Sequence, residues 1–397
     1  MRTPSEALDA LRATPCGAAA LDLPAWLVGG VVRDLLLGRA WKDVDLVVEG
    51  EAETVVGDLG TVVAEHGRFG TWEVRRGDCA YNVVRARAES YAAPGALPDV
   101  RPGTLEDDLA RRDFTVNAIA LRAAGGEGGG PEGAPAAGTG LALRGGTPAV
   151  LRSVPGALDD LAARRLRVLH DRSFRDDPTR LWRLVRYAVR LGFLPDERTS
   201  ELAAEAVAAG ALETVSGDRL GAELRLALRE PDPLAVLHAA QNLGLVRGLD
   251  LDPARVARAL DLLPPDGRPD LALLGAVIPG AAWARGWGFT AAEEHVLARA
   301  AELAPLSADR PSAVAERLRG EPVEAVAVAG ARGDGEVAER YLLQWRRVGL
   351  EITGHDLLEA GVPQGPEVGE RLRRVLALRL DGELAPGREA ELRAALD

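Results

Sequence analysis

The run Trp26-Leu27-Val28-Gly29-Gly30-Val31-Val32-Arg33-Asp34-Leu35-Leu36-Leu37-Gly38, followed shortly by Asp43-Val44-Asp45-Leu46-Val47-Val48, decides how the first part of this chain folds. A short apolar run, two glycines and then apolar residues at helical spacing read as a strand, a tight turn and a helix closed by Gly38. Such a turn lets backbone amides approach an anion at a helix N-terminus, where the dipole also favours negative charge. Arg33, one turn in, would reach a second oxygen of that anion. Taken alone, the same residues also read as a tight turn with a surface arginine.

Asp43 and Asp45 open the next apolar run. On a strand, residues i and i+2 point to one face, so the two carboxylates come together. Two acids on one face repel each other, and a bound Mg²⁺ removes that cost while orienting phosphate oxygens and activating a hydroxyl. A solvated strand end is the plainer reading of Asp-x-Asp by itself. Its place ten residues after a glycine turn and helix makes the metal reading specific.

Outward from this point the chain reads as α+β. Residues 20–122 alternate short β-like runs with turns: Gly70 to Arg75 and Ala80 to Val84 flank Arg76-Gly77-Asp78 as a hairpin turn. Residues 123–148 are mostly Gly, Ala and Pro, cannot bury enough surface to order themselves, and are expected to be a flexible insertion. From there the apolar period becomes helical, with Leu181, Leu184, Val185, Ala188 and Leu191 as the first example. Pro/Gly breaks divide the helical part into a neck at 151–230, a body at 231–310 and a tail at 311–397.

Composition limits the function classes. The chain has 397 residues and a formal net charge of −12, which argues against a polyanion partner if the average is taken at face value. The average hides a basic stripe: from Arg164 to Arg190 nine arginines stand against three acids. Lys42 is the sole lysine, so part of this arginine use is compositional bias. No stretch approaches the roughly 20 apolar residues that span a bilayer, so neither secretion nor membrane insertion is expected. Cys16 and Cys79 lie far apart in sequence and fit no zinc spacing. They are expected to be thiols in a reducing, cytoplasmic compartment. The five scattered histidines suggest no metal cluster.

Gly29-Gly30-Val31-Val32-Arg33-Asp34, Asp43-Val44-Asp45 and Arg111-Arg112-Asp113-Phe114-Thr115-Val116-Asn117-Ala118 resemble, in order and spacing, the class II tRNA nucleotidyltransferase and bacterial poly(A) polymerase family. The resemblance implies a polymerase β-like nucleotidyltransferase head followed by an all-helical neck, body and tail. It implies that Gly30 and Arg33 hold a triphosphate, that Asp43 and Asp45 are catalytic and hold Mg²⁺, and that Arg112 contacts nucleotide. Asp113 and Asn117 read as architectural or sugar-contacting. Many relatives carry a third carboxylate on a neighbouring strand, where this chain has Asn82, with Glu73 as a possible contributor from the partner strand.

Asp176-Asp177-Pro178-Thr179-Arg180 resembles the family's base-reading Glu-Asp-x-x-Arg motif, with a shorter first acid. By that resemblance Asp177 and Arg180 read the Watson-Crick edge of the nucleotide, and Arg183 and Arg186 contact it too. Read from spacing alone, Asp177 and Arg180 form a helix ion pair, and Arg180, Arg183 and Arg186 form a cationic stripe opposite the apolar face. Tyr91 to Arg101 stands where the family has a flexible loop associated with ATP use, although Pro94 and Pro98 also suit an inert surface loop. The implied partners are the tRNA acceptor arm and 3′ end, with CTP and ATP as substrates and no stable protein partner. A poly(A) polymerase and an RNA-binding protein with a dead head are the competing readings.

Overall fold

A seven-stranded mixed sheet organises the first half of the chain, and the computed structural model describes residues 1–67, 70–123 and 148–397. The strands are β1 (Trp26–Val28), β2 (Val44–Val48), β3 (Thr61–His66), β4 (Thr71–Arg76), β5 (Cys79–Arg85), β6 (Arg87–Ser90), β7 (Asp99–Pro102), β8 (Ile119–Ala123) and β9 (Ala149–Ser153). Their order across the sheet is β3-β4-β5-β2-β1-β8-β9, while β6 and β7 form a separate hairpin. Within this sheet, among the described residues, β2 and β5 run parallel and the other neighbours are antiparallel. Val44, Leu46, Val47 and Val48 are all buried, as expected of a strand covered on both faces, and Asp45 is the one polar interruption.

The first eight helices are α1 (Pro4–Arg12), α2 (Pro15–Leu21), α3 (Gly30–Leu37), α4 (Ala52–Leu59), α5 (Leu105–Ala110), α6 (Ala157–Ala162), α7 (Ser173–Asp176) and α8 (Thr179–Leu191). Helix α3 begins directly after the glycine turn and ends at Gly38, whose left-handed conformation closes it as the sequence predicts. Helix α8 buries Leu181, Trp182, Leu184, Val185 and Leu191. The β4–β5 turn is tighter than expected, since Arg76 pairs with Cys79 and only Gly77 and Asp78 lie between the strands. The insertion predicted at 123–148 lies, except for its two end residues, outside the described residues; Ala123, its first residue, pairs with Ala149 as the ends of β8 and β9.

The chain divides into two compact units, Met1–Val215 and Ser216–Asp397. The second is helical. Its segment Pro269–Val277 buries every residue from Leu271 to Val277, the mark of a helix at the centre of a bundle. Near the chain end, Ile352, Leu357, Val362, Val375 and Ala395 form a small core of their own. Glu391 closes it: its carboxylate accepts the Glu351 and Ile352 amides and pairs with Arg379. No described helix is long and apolar enough to cross a membrane.

The cysteines correct the expectation of two thiols. Cys16 and Cys79 form a disulfide across 63 residues, with Cα atoms 5.4 Å apart. Distance along the chain says nothing about distance in space, and α2 lies against the start of β5. The Tyr81 hydroxyl, also on β5, donates to the Cys16 carbonyl at 3.0 Å and reinforces the same junction. Replacing both cysteines with serine is expected to lower the unfolding free energy by about 2–4 kcal/mol, because the bond restricts a long loop in the unfolded chain. Urea titration of parent and variant, with and without reductant, checks this, and identical curves would deny the bond a stabilising role.

Candidate active site

Gly29 holds the turn between β1 and α3 with φ +71°, a conformation that side chains resist. A Cβ there would lie 2.6 Å from Arg112 Nη1, so glycine also makes room for that guanidinium. Gly29 is the conformationally demanding glycine of the pair, and Gly30, the candidate triphosphate contact, is the first helical residue. Arg33, one turn into α3, is only 2% exposed. Its Nε and Nη2 donate to Asp34, each at 2.9 Å, and Nη1 donates to Asn117 Oδ1 at 2.6 Å.

Asn117 in turn donates to Asp113 Oδ1 at 2.9 Å, which also takes the Phe114 amide at 2.8 Å, while Asp113 Oδ2 pairs with Arg183 Nε at 2.7 Å. A continuous polar chain therefore runs Asp34, Arg33, Asn117, Asp113, Arg183, from the glycine turn to the neck helix. Burial by itself would push the Asp113 carboxyl up, but Arg183, Asn117, Arg180 and the Phe114 amide together hold it below the usual carboxylate range. Asp113 and Asn117 thus link the glycine turn to the neck helix.

Asp45 lies on β2 and is half-buried; Asp43 lies one residue before the strand and is exposed. Asn82 Nδ2, on β5, donates to Asp45 Oδ1 at 2.9 Å. Burial pushes the Asp45 carboxyl up, and the Asp43 charge adds to this, against the pull of Asn82, Arg112 and Arg33. The paired aspartates and the arginines around the glycine turn thus share one electrostatic neighbourhood. Among the described residues no three His, Cys, Asp or Glu side chains group as metal ligands, and Glu73 is exposed one strand beyond Asn82. Two adjacent hard oxygen donors suit a divalent cation that keeps water and phosphate oxygens as its other ligands.

Asp108, which sequence reasoning missed, organises the arginines. It is fully buried and takes Arg111 Nε and Nη2 on one oxygen at 2.9 and 2.6 Å, and Arg112 Nη2 on the other at 2.8 Å. Arg112 Nη1 reaches the Asn117 carbonyl at 3.3 Å. Arg111 continues to Glu89 at 2.9 Å, and Glu89 also takes Arg87 and the Tyr91 hydroxyl. Burial raises the Tyr91 phenol to about 12. Tyr91 opens the loop between β6 and β7, and Gly95 of that loop donates its amide to the Arg175 carbonyl at 3.2 Å. Asp99 and Arg101 pair with Ser90 and Ala88 inside the hairpin.

Arg180 departs from the cationic stripe opposite the apolar face. It is 4% exposed, donating through Nη1 to Ser173 Oγ at 2.7 Å and through Nη2 to the Arg111 carbonyl at 2.8 Å. At the first turn of α8 its direction points into the head, whereas Arg183, Arg186 and Arg190 emerge progressively along the helix. Asp177 Oδ1 caps the helix start by accepting from the Thr179 amide and hydroxyl. Tyr187 sits among the later arginines: the guanidiniums of Arg33, Arg183 and Arg190 lie 5.6, 5.9 and 4.9 Å from its ring centre, and Phe114 meets it edge-on. Its one signal in sequence is an aromatic residue inside an arginine-rich helix.

A glycine turn opening a helix beside a strand with paired aspartates, on a mixed sheet followed by helices, defines a nucleotidyltransferase head. Residues 25–128 match the Poly A polymerase head domain family. The A-adding tRNA nucleotidyltransferase of Halalkalibacterium halodurans is 31% identical over 88% of this chain and 83% of its own length. The CC-adding tRNA nucleotidyltransferase of Deinococcus radiodurans is 36% identical over 91% and 86%. The A-adding tRNA nucleotidyltransferase of Geobacter sulfurreducens is 34% identical over 95% of this chain, which spans 45% of that longer protein. The structure resembles a CCA-adding enzyme complexed with ATP, at a TM-score of 0.72 and 26% identity over 98% of this chain and 95% of that one. It also resembles the Thermotoga maritima CCA-adding enzyme complexed with tRNA, at 0.67 and 25% over 100% and 98%. The chain belongs to the class II tRNA nucleotidyltransferase family.

Proposed function

We propose that the protein builds all or part of the 3′ CCA end of tRNA, and that ATP is among its substrates. The ATP assignment rests on the likeness of Tyr91 to Arg101 to the family loop associated with ATP use, a loop that meets the segment leading into the base-reading motif through the Gly95 amide and the Arg175 carbonyl. Relatives matching most of their own length are A-adding and CC-adding enzymes, which favours partial addition.

In this reading the α3 N-terminus at Gly30, with Arg33 and Arg112, binds the triphosphate. Asp43 and Asp45 would hold two divalent cations, assigned as Mg²⁺, which when bound stabilise the attacking oxygen and the pyrophosphate leaving group. Asp177 and Arg180 present acceptors and donors to the base, a pattern that cytosine and adenine satisfy and that guanine and uracil do not. Arg183 and Arg186 add contacts from the neck helix. The tRNA 3′-hydroxyl attacks the α-phosphorus in line and pyrophosphate leaves. The helical unit Ser216–Asp397 grips the acceptor arm by shape and phosphate contacts, since duplex RNA is read mainly through its backbone. The assigned compartment is the cytoplasm, on the ground of the proposed tRNA substrate and not of the cysteines, which form a disulfide.

Three tRNA transcripts, ending before the CCA, after one C and after two, are incubated with Mg²⁺ and with CTP or ATP separately and together. The expected product is a single A on the transcript ending in two Cs. Long A tracts without C would identify a poly(A) polymerase, C addition without A would remove ATP from the substrates, and no transfer at all would leave an RNA-binding protein.

A further inference from the structure

The β2–β5 register sets Asp45 opposite Asn82, and the β4–β5 register sets Asn82 opposite Glu73. Directly opposed residues share a face of the sheet, so Asp45, Asn82 and Glu73 form one row across three strands. The middle member is the neutral one. An ionised carboxylate only accepts hydrogen bonds, so the carboxamide nitrogen of Asn82 must face Asp45, as it does at 2.9 Å. This contact occupies Asp45 Oδ1 and fixes the carboxylate against β5. Neighbouring strands lie about 4.8 Å apart, so Glu73 stands two strand spacings from Asp45 and the amide separates the two acids.

We infer that Asn82 is a positioning residue for the cation site: it orients Asp45 and limits the head to two carboxylates. The inference rests on the Asp43/Asp45 cation site proposed above. A site with two carboxylates binds a free divalent cation more weakly than one with three, because ligand charge count tunes affinity. A nucleotide triphosphate would supply further anionic oxygens to a cation held by Asp43 and Asp45, so cation affinity should rise when nucleotide is present.

The test is Mn²⁺ binding by the full-length protein without nucleotide, followed by the electron paramagnetic resonance signal of free Mn²⁺. Asn82→Asp, nearly isosteric, is expected to bind about tenfold more tightly, and Asn82→Ala about tenfold more weakly, the usual cost of losing a residue that orients a metal ligand. Melting curves establish that each variant is folded. If Asp43→Ala loses Mn²⁺ while both Asn82 variants stay within about twofold of the parent, the role of Asn82 is overturned and the two-carboxylate site stands. If Asp43→Ala binds as the parent does, the site itself is wrong and the assignment of Asn82 falls with it.

Discussion

Asp43→Ala is expected to abolish nucleotidyl transfer, with a loss of roughly 10³-fold or more, because positioning a cation against developing charge is worth several kcal/mol of barrier. Binding of tRNA should survive, since Asp43 is exposed and lies before its strand. Asp45→Asn should lose transfer to a similar degree, with an opposite effect on stability. Burial and Asp43 raise the Asp45 carboxyl above its ordinary value, so ionising it costs more in the folded protein than in the unfolded chain. Its stabilising share is full below the unfolded pKa and is lost as pH rises through the higher folded pKa. At neutral pH without cation, Asp45→Asn should therefore melt at or above the parent temperature, and added Mg²⁺ should stabilise the parent alone. Single-turnover extension and melting curves with and without Mg²⁺ decide it; substantial transfer by either variant would sink the metal assignment.

Asp108→Asn is the substitution expected to cost the most stability outside the catalytic pair. The carboxylate is fully buried and is shared by Arg111 and Arg112, whose side chains are largely buried beside it. Neutralising it leaves two guanidiniums facing each other over an amide that can satisfy only one of them well, and breaking such a buried pair costs about 3 kcal/mol. Arg112 then loses the anchor that holds it over Gly29, so the nucleotide KM should rise together with the stability loss. Arg111 presents its carbonyl to Arg180, so base selection should relax as well. Urea unfolding and the ratio of correct to incorrect nucleotide incorporation measure both effects. A stability change below about 1 kcal/mol with unchanged selection would mean that Asp108 only fills space.

Local pattern made much of the head legible. The strand Trp26–Val28, the helix Gly30–Leu37 with its Gly38 cap, and the strand Val44–Val48 all follow from periodicity and turn chemistry within a few residues. So do the helical character of α8 and the shared neighbourhood of Asp43 and Asp45. What escaped reading depends on partners distant in sequence. Arg180 looks like a member of a cationic stripe until Ser173 of the neck and the Arg111 carbonyl of the head draw it inside. Asp108 looks like an ordinary acid in the first turn of a short helix, because its burial is decided by how the following arginines fold back over it.

The sequence by itself determined the motifs, their order, the change from β to helical periodicity and hence the family, because each is set by residues within one turn or one strand of each other. Tertiary structure alone decided that β5 lies beside β2 and brings Asn82 to Asp45, that α2 brings Cys16 to Cys79, and that Asp113 joins Arg33 to Arg183 through Asn117. Those contacts join residues that are distant along the chain. Strand order and helix docking select them by burying one common core, and no local spacing encodes that choice.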